Sequence, residues 1–215
     1  MSTKFRLIVF DLDGTLIDTM GGFADLAGSL LHKHYGWTFE NGRKRYLETS
    51  GIPFFQQMEI LFPNDQRNPG VVDHFERGKI SAFIKESISE RTRETIHALR
   101  DREIRTAISS NNFHDLVREF VRQNNIPVDL AVGFKQDFAK GRDHFEYLRN
   151  YFGIPFGEMV FVGDSLMDAK KASEMNIFFV AKVGTFTRGE FQPVVINQPL
   201  MAITEISEIL GILEK

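Results

Sequence analysis

The tightest constraint on this chain is one stretch near its start, Phe5-Arg6-Leu7-Ile8-Val9-Phe10-Asp11-Leu12-Asp13-Gly14-Thr15-Leu16-Ile17-Asp18. An almost continuous apolar run rich in β-forming residues ends in two carboxylates two residues apart and a glycine. The pattern predicts a parallel strand buried on both faces that empties into a polar turn. Open α/β sheets place their sites at such strand ends. Asp11 and Asp13 then lie on the same side of an extended backbone. Two carboxylates in one small volume repel, so either a cation sits between them or one keeps its proton and serves as an acid. A lone Asp-x-Asp-Gly is more often a plain turn, and the rest of the chain has to decide.

At 215 residues the chain is long enough for one core domain with a modest insertion, burying roughly 70% of its unfolded surface. Its 21 Phe against 4 Tyr and 1 Trp predict a Phe-packed interior rather than a base-stacking surface. A formal net charge of -3 gives no electrostatic reason to expect nucleic acid or an anionic membrane as partner. The absence of cysteine excludes disulfides and thiol chemistry and fits a reducing compartment. No apolar run approaches the ~20 residues of a membrane span, and the opening run is too short for a signal peptide. A soluble, cytoplasmic protein is expected.

Helical periodicity replaces the strand pattern from about Met20 onward. Phe23, Leu26, Ala27, Leu30 and Leu31 share one face of a first helix, which Gly36 ends. Further helices are predicted over 43–48, 54–61 and 71–88, separated by Gly51-Ile52-Pro53 and by Pro63-Asn64-Asp65 with Pro69-Gly70. Residues 18–88 read as a helical insertion, with hinges near Asp18-Thr19 and between Lys85 and Glu90. The core is then 1–17 together with 89–215. There, helices over 92–100, 113–124, 142–152 and 166–175 alternate with strands over 104–109, 128–133, 159–162 and 177–183. Asn176 takes the helix-ending position, where it tolerates the left-handed conformation. A short edge strand over 194–197 and a final amphipathic helix over 200–213 complete the core. This alternation predicts an α/β fold with a doubly wound, mostly parallel sheet.

Three further clusters fall at the C-terminal ends of predicted strands. Ser110 and Asn111 follow the second strand and precede a helix, so a hydroxyl, an amide and backbone N–H groups face the rim that carries Asp11 and could hold an anion. Asn112 with Asp115 also fits an N-cap pair. In Gly163-Asp164-Ser165-Leu166-Met167-Asp168, Ser165 and Asp168 fit a capping box. Asp164 is not needed for that cap, and a third carboxylate completes an oxygen-rich site for a hard cation such as Mg²⁺. Lys140 opens the helix before this strand, where an ammonium would offset several carboxylates and a bound phosphate. Lys135 competes for that part.

Taken in order, Asp11-x-Asp13-Gly14-Thr15, the strand ending in Ser110-Asn111, Lys140, and Gly163-Asp164-Ser165-x-x-Asp168 resemble the four motifs of the haloacid dehalogenase-like (HAD) hydrolase superfamily. The resemblance spans nearly the whole chain and implies a Rossmann-like core. The insertion resembles the helical cap of the phosphoglycolate phosphatase and β-phosphoglucomutase branch. Carried over position by position, Asp11 is the nucleophile that becomes an aspartyl-phosphate. Asp13 protonates the leaving oxygen and then activates water, with its backbone carbonyl on Mg²⁺. Ser110 and Lys140 bind the phosphoryl oxygens. Asp11, Asp13 and Asp164 are the protein contacts to Mg²⁺, and Asp168 anchors from behind through water or through Lys140. Gly14, Thr15 and Asn111 shape the phosphate pocket.

The chain departs from that pattern where Gly141-Arg142-Asp143 stands in place of the branch's Lys-Pro-x-Pro. Lys140 nevertheless lies 24 residues before Asp164, close to the usual separation, and is favoured over Lys135. The acid at Asp13 argues for phosphoryl transfer over dehalogenation or phosphonate cleavage. Phe23 stands where sugar phosphomutases carry a histidine, and Gly51-Ile52-Pro53-Phe54-Phe55 lacks their sugar-gripping arginine. A hydrolase is therefore favoured over the mutase alternative, and over a catalytically silent relative that binds a phosphorylated ligand or a protein. The expected partner is a small phosphorylated metabolite such as phosphoglycolate, a sugar phosphate or a nucleotide. A monomer or weak dimer is expected. Gly51, Ile52 and Phe54 are the candidate specificity residues. Arg43, Lys44 and Arg45 read first as a solvated helix face.

Overall fold

The computed structural model describes residues 4–214, which fall into two compact units. One runs to Ile17 and resumes at Ser87, and the other is Asp18–Glu86. The opening apolar run is β1, Leu7–Phe10, buried at every position.

The second unit is helical, with α1 (Met20–Tyr35), α2 (Phe39–Glu48), α3 (Phe54–Leu61) and α4 (Asn68–Phe83). Gly36 closes α1 in the left-handed conformation, its N–H bonded to the His32 carbonyl. Phe23, Leu31, Tyr46, Met58, Val71 and Phe75 build the interior. Phe54 joins them, stacked on Phe75 with ring centroids 3.9 Å apart. Phe54, expected as a specificity residue, is thus buried in the packing of this unit. Two helix bounds also differ from expectation. α2 begins at Phe39 because the Thr38 hydroxyl accepts the Asn41 N–H and caps it. α4 begins before Pro69, since a proline in the first turn forgoes only an N–H that has no helical partner. It stops at Phe83, and Ile88 is buried in the other unit.

The α/β unit continues with α5 (Glu90–Asp101), β2 (Arg105–Phe113), α6 (His114–Gln123), β3 (Leu130–Phe134), α7 (Arg142–Phe152), β4 (Met159–Gly163), α8 (Leu166–Glu174), β5 (Phe178–Lys182), α9 (Arg188–Phe191), β6 (Met201–Ile203) and α10 (Ile209–Ile212). Among the described residues the strands form one parallel sheet in the order β3-β2-β1-β4-β5-β6. The order runs outward from β1 in both directions, as in a doubly wound fold. Leu7, Val9, Phe161 and Phe179 face one side and pack with Phe145 and Leu148 of α7 and Ala169 and Ala172 of α8. Ile8, Phe10, Val160 and Val162 are equally buried and alternate to the other face. Burial on both faces is why these strands read as unbroken apolar runs.

The chain end corrects two expectations. The edge strand is β6 rather than 194–197, and Val195 is buried in the core without strand pairing. No long helix covers 200–213, because the Glu208 carboxylate accepts the N–H groups of Thr204 and Glu205. That cap lets helical structure start only at a 3₁₀ turn, Ile206–Glu208, which runs into α10. Among the described residues no helix is long and apolar enough to cross a membrane.

Register sets the site. Phe10 pairs with Ile108 on one side and Val162 on the other. The residues that follow each of them, Asp11, Ser109 and Gly163, therefore lie side by side toward the C-terminal rim of the sheet.

Candidate active site

The Asp11 N–H donates to the Val162 carbonyl at 2.9 Å, extending the β1–β4 ladder by one residue and holding Asp11 on the sheet. The chain then turns on the Leu12 carbonyl, which accepts from Leu16 at 2.9 Å and Ile17 at 3.1 Å. Gly14, at φ 75°, returns its own N–H to the Ile17 carbonyl at 2.8 Å, a left-handed geometry that costs glycine nothing sterically. Asp13 stays partly exposed, and its Oδ2 accepts from the Asn112 amide at 2.7 Å. In the same turn Thr15 is buried, with no hydrogen-bond partner for its Oγ1.

From β2, Ser109 and Ser110 arrive fully buried, with Asn111 partly exposed beside them. The Ser110 hydroxyl accepts the Asn112 N–H at 3.1 Å. Asn112 does not cap α6 as expected. β2 remains extended through Phe113, the helix starts without a side-chain cap, and the Asn112 amide is committed to Asp13. The Ser109 hydroxyl pairs with Nδ1 of buried His144 at 2.9 Å. Burial and then the Lys140 charge pull His144 down to about 3, so a neutral imidazole backs this strand end.

From β4 come Gly163 and Asp164, followed by the Ser165 cap of α8. Asp168 closes a capping box, its N–H donating to Ser165 Oγ at 3.1 Å while its Oδ2 accepts from that hydroxyl at 2.7 Å. The other oxygen, Oδ1, lies 2.8 Å from Lys140 Nζ, and the same ammonium is 2.9 Å from Asp11 Oδ1. Asp168 thus does both things its position allows, capping a helix and anchoring the lysine. Gly163 is required by that packing, since a Cβ there would lie 2.8 Å from the Asp168 Cβ. Lys140 is the lysine at the carboxylates. Lys135 instead exchanges backbone hydrogen bonds with Phe138 at 2.9 and 3.1 Å.

Electrostatically the cluster lacks positive charge. Carboxylate oxygens of Asp11, Asp164 and Asp168 all lie within 4.8 Å of one another, and all three residues are buried. Burial lifts Asp11 to about 6, with Asp168 and Asp13 adding to the rise and Lys140 opposing it. Burial also lifts Asp164 well above the carboxylate range, helped by Asp11 and Asp168, and only the Thr185 hydroxyl and Lys140 restrain it. For Lys140, the two flanking carboxylates outweigh burial and hold the ammonium protonated beyond the ordinary lysine range. A hard divalent cation fits this donor set, because it would relieve two buried carboxylates that one lysine leaves under-neutralised. The sequence does not single out His144 or Thr185, and it offers Asn112 only as half of a cap pair. Asn112 carried a signal, since it lies on the same side of a continued strand as Ser110. His144 looks like one more inward residue of α7, and Thr185 reaches Asp164 across 21 positions with no local cue.

The model of the haloacid dehalogenase-like hydrolase family matches residues 8–182. No curated protein matches the sequence. Among solved structures, a predicted phosphatase from Clostridium acetobutylicum is similar with TM-score 0.80 and 18% identity over 98% of this chain and 99% of that one. A predicted phosphoglycolate phosphatase from Haemophilus somnus gives 0.75 and 20% over 99% of each chain. CbbY from Rhodobacter sphaeroides, in complex with xylulose-1,5-bisphosphate, gives 0.71 and 14% over 95% of this chain and 96% of that one. Likeness at these identities speaks for the fold, and the family match covers most of the chain, including the ends of β1, β2 and β4. This chain belongs to the haloacid dehalogenase-like hydrolases.

Proposed function

We propose that the protein is a Mg²⁺-dependent phosphatase that hydrolyses a small phosphomonoester through an aspartyl-phosphate on Asp11. The observation that carries this reading is that the two carboxylates after β1 are held differently. Asp11 is buried against Lys140, whereas Asp13 is partly exposed and bonded to a neutral amide. A carboxylate fixed beside a permanent cation suits attack on an electrophile, and one in touch with water suits proton exchange.

In the first step an Asp11 oxygen bonds to phosphorus. The bond from phosphorus to the leaving oxygen breaks as the Asp13 carboxyl gives that oxygen its proton. In the second, Asp13 takes a proton from a water whose oxygen bonds to phosphorus, and the bond to Asp11 breaks. Inorganic phosphate leaves, and both carboxyl groups return to their starting state. The Thr15 and Ser110 hydroxyls, the Asn111 amide, the Gly14 backbone and the Lys140 ammonium are the groups available to the phosphoryl oxygens. Asp11 and Asp164, with the Asp13 backbone carbonyl, would hold Mg²⁺, which when bound offsets phosphoryl charge. Asp168 acts through Lys140. The phosphorylated ligand of CbbY and the phosphatase names of the other two neighbours support a phosphorylated small-molecule substrate. The choice of leaving group is assigned to the helical unit, at Gly51 and Ile52.

The test is phosphate release from an aryl phosphate and a panel of small phosphorylated metabolites, with Mg²⁺ or with chelator. Asp11→Asn should lower turnover at least about a thousandfold, as loss of a nucleophile does. Turnover that survives this substitution, or is indifferent to chelator, would overturn the mechanism.

A further inference from the structure

Lys171 lies on α8 one turn beyond Asp168, on the same helix face. Its aliphatic stem fills the space beside Gly141. A Cβ on Gly141 would sit 3.3 Å from the Lys171 Cδ, 3.4 Å from its Cγ and 3.6 Å from its Cε. Gly141 itself, between Lys140 and α7, has φ 120° and ψ -132°, a backbone region that side chains exclude. The glycine at the departure from Lys-Pro-x-Pro therefore has a counterpart. The backbone that presents Lys140 is shaped for glycine, and the stem of a second lysine packs against it.

We infer that Lys171 is a second cation of this site, a positioning residue that seats Lys140 through Gly141 and whose charge favours the phosphoryl group while opposing the divalent cation. The inference rests on the phosphatase reading above. With a metal bound, Asp11, Asp13, Asp164 and Asp168 oppose Lys140 alone among the residues already assigned. The Lys171 ammonium lies in the field of Lys140, Asp168, Asp11 and Glu174. Burial and the Lys140 charge pull it down to about 8, which leaves it charged at pH 7. A fixed positive charge attracts a phosphate dianion and repels Mg²⁺, so its removal moves the two affinities in opposite directions. A residue that served only packing would weaken both when removed.

Calorimetry at pH 7 on the full chain would measure Mg²⁺ alone, then inorganic phosphate at saturating Mg²⁺, for wild type, Lys171→Met and Lys171→Arg. Lys171→Met, which keeps the stem, should bind Mg²⁺ roughly five- to tenfold tighter and phosphate weaker by a similar factor, with solvent screening allowed for. Lys171→Arg should stay near wild type for both. A Met variant unchanged for both ligands, or weaker for both, would overturn the role of the charge, and Lys171→Gln carries the same test if Met prevents folding. Wild type that binds neither ligand would overturn the phosphatase reading and this one with it. Wild type that binds both isolates the outcome to Lys171.

Discussion

Replacing Asp11, the nucleophile of the proposed mechanism, should make the metal-free protein more stable. Burial, aided by Asp168 and Asp13 and opposed by Lys140, raises the Asp11 carboxyl from 3.8 to about 6. Between those values the folded chain holds a proton that the unfolded chain has released. Stability therefore falls as pH climbs from about 4 to about 6, and the full penalty is present above that. At about 1.4 kcal/mol per pH unit this amounts to about 3 kcal/mol at pH 7.5. Asparagine keeps the shape and has no charge to desolvate, so Asp11→Asn avoids the penalty. His144 works in the opposite sense over part of the range. Its pKa is held near 3 by burial, so the stability of its neutral form is lost as pH falls from about 6.5 toward 3. That contribution is common to both proteins and cancels in their difference.

The assay is thermal melting of wild type and Asp11→Asn in chelator from pH 4 to pH 7.5. For a chain of this size about 2–4 °C accompanies each kcal/mol, so the variant should melt about 6–12 °C higher at pH 7.5 and level with wild type at pH 4. Excess Mg²⁺ should reverse the order at pH 7.5 by stabilising wild type selectively. A variant that melts at or below wild type in chelator at pH 7.5, or a gap that does not change with pH, would refute the electrostatic account of Asp11.

Asp13→Asn should slow turnover of alkyl phosphates about 10²–10⁴-fold, the range for loss of a positioned acid–base group. Aryl phosphates, whose leaving groups need little protonation, should still phosphorylate Asp11 and give a burst of about one aryl alcohol per active site before a slow steady rate; equal losses on both substrate types with no burst would contradict the assignment. Gly163→Ala places a Cβ 2.8 Å from the Asp168 Cβ and 2.9 Å from its Oδ2. Asp168 is tied to Ser165 and Lys140 and has little room to yield, so urea unfolding should show a loss of about 1–3 kcal/mol. A loss under about 0.5 kcal/mol would mean that Asp168 moves more freely than its contacts allow.

The elements most legible in the sequence are those whose local signals have no rival. β1 and β4 are unbroken apolar runs because both sheet faces are covered. α3 follows Pro53, and α7 ends at Gly153 in the left-handed conformation. Asn176, at φ 53°, takes the left-handed position after α8. The carboxylates were legible for the same reason, since each follows an apolar run and parallel pairing then brings strand ends together. Legibility fails where a local cue competes with a distant partner. Asn112 has the sequence of a cap, but the Asp13 side chain offers its amide an acceptor and the strand continues. Residues 200–213 have helical periodicity, but the Glu208 cap starts the helix late, and Met201 and Ile203 have already been drawn into the sheet edge. Phe54 follows a turn and looks available, yet a buried stack on Phe75 is the better use of an aromatic ring.

The arrangement around Lys140 makes sense as chemistry rather than as stabilisation. Burying one ammonium and two carboxylates costs several kcal/mol of desolvation per ion, and well-packed apolar residues of similar volume are often equal or better for stability. Asp164 adds a further buried carboxylate, which among the described residues accepts from the Thr185 hydroxyl and feels the pull of Lys140. A site built only to hold the sheet together would not gather this charge at the ends of adjacent parallel strands. The surrounding residues are instead arranged to keep it from relaxing. Asp168 is fixed as a helix cap, Gly163 leaves it the room it occupies, and the ladder bond to Val162 keeps Asp11 on the sheet. Under the proposed function this excess negative charge is preorganised for a divalent cation, and the stability forgone in the metal-free chain would reappear as binding energy when the cation arrives.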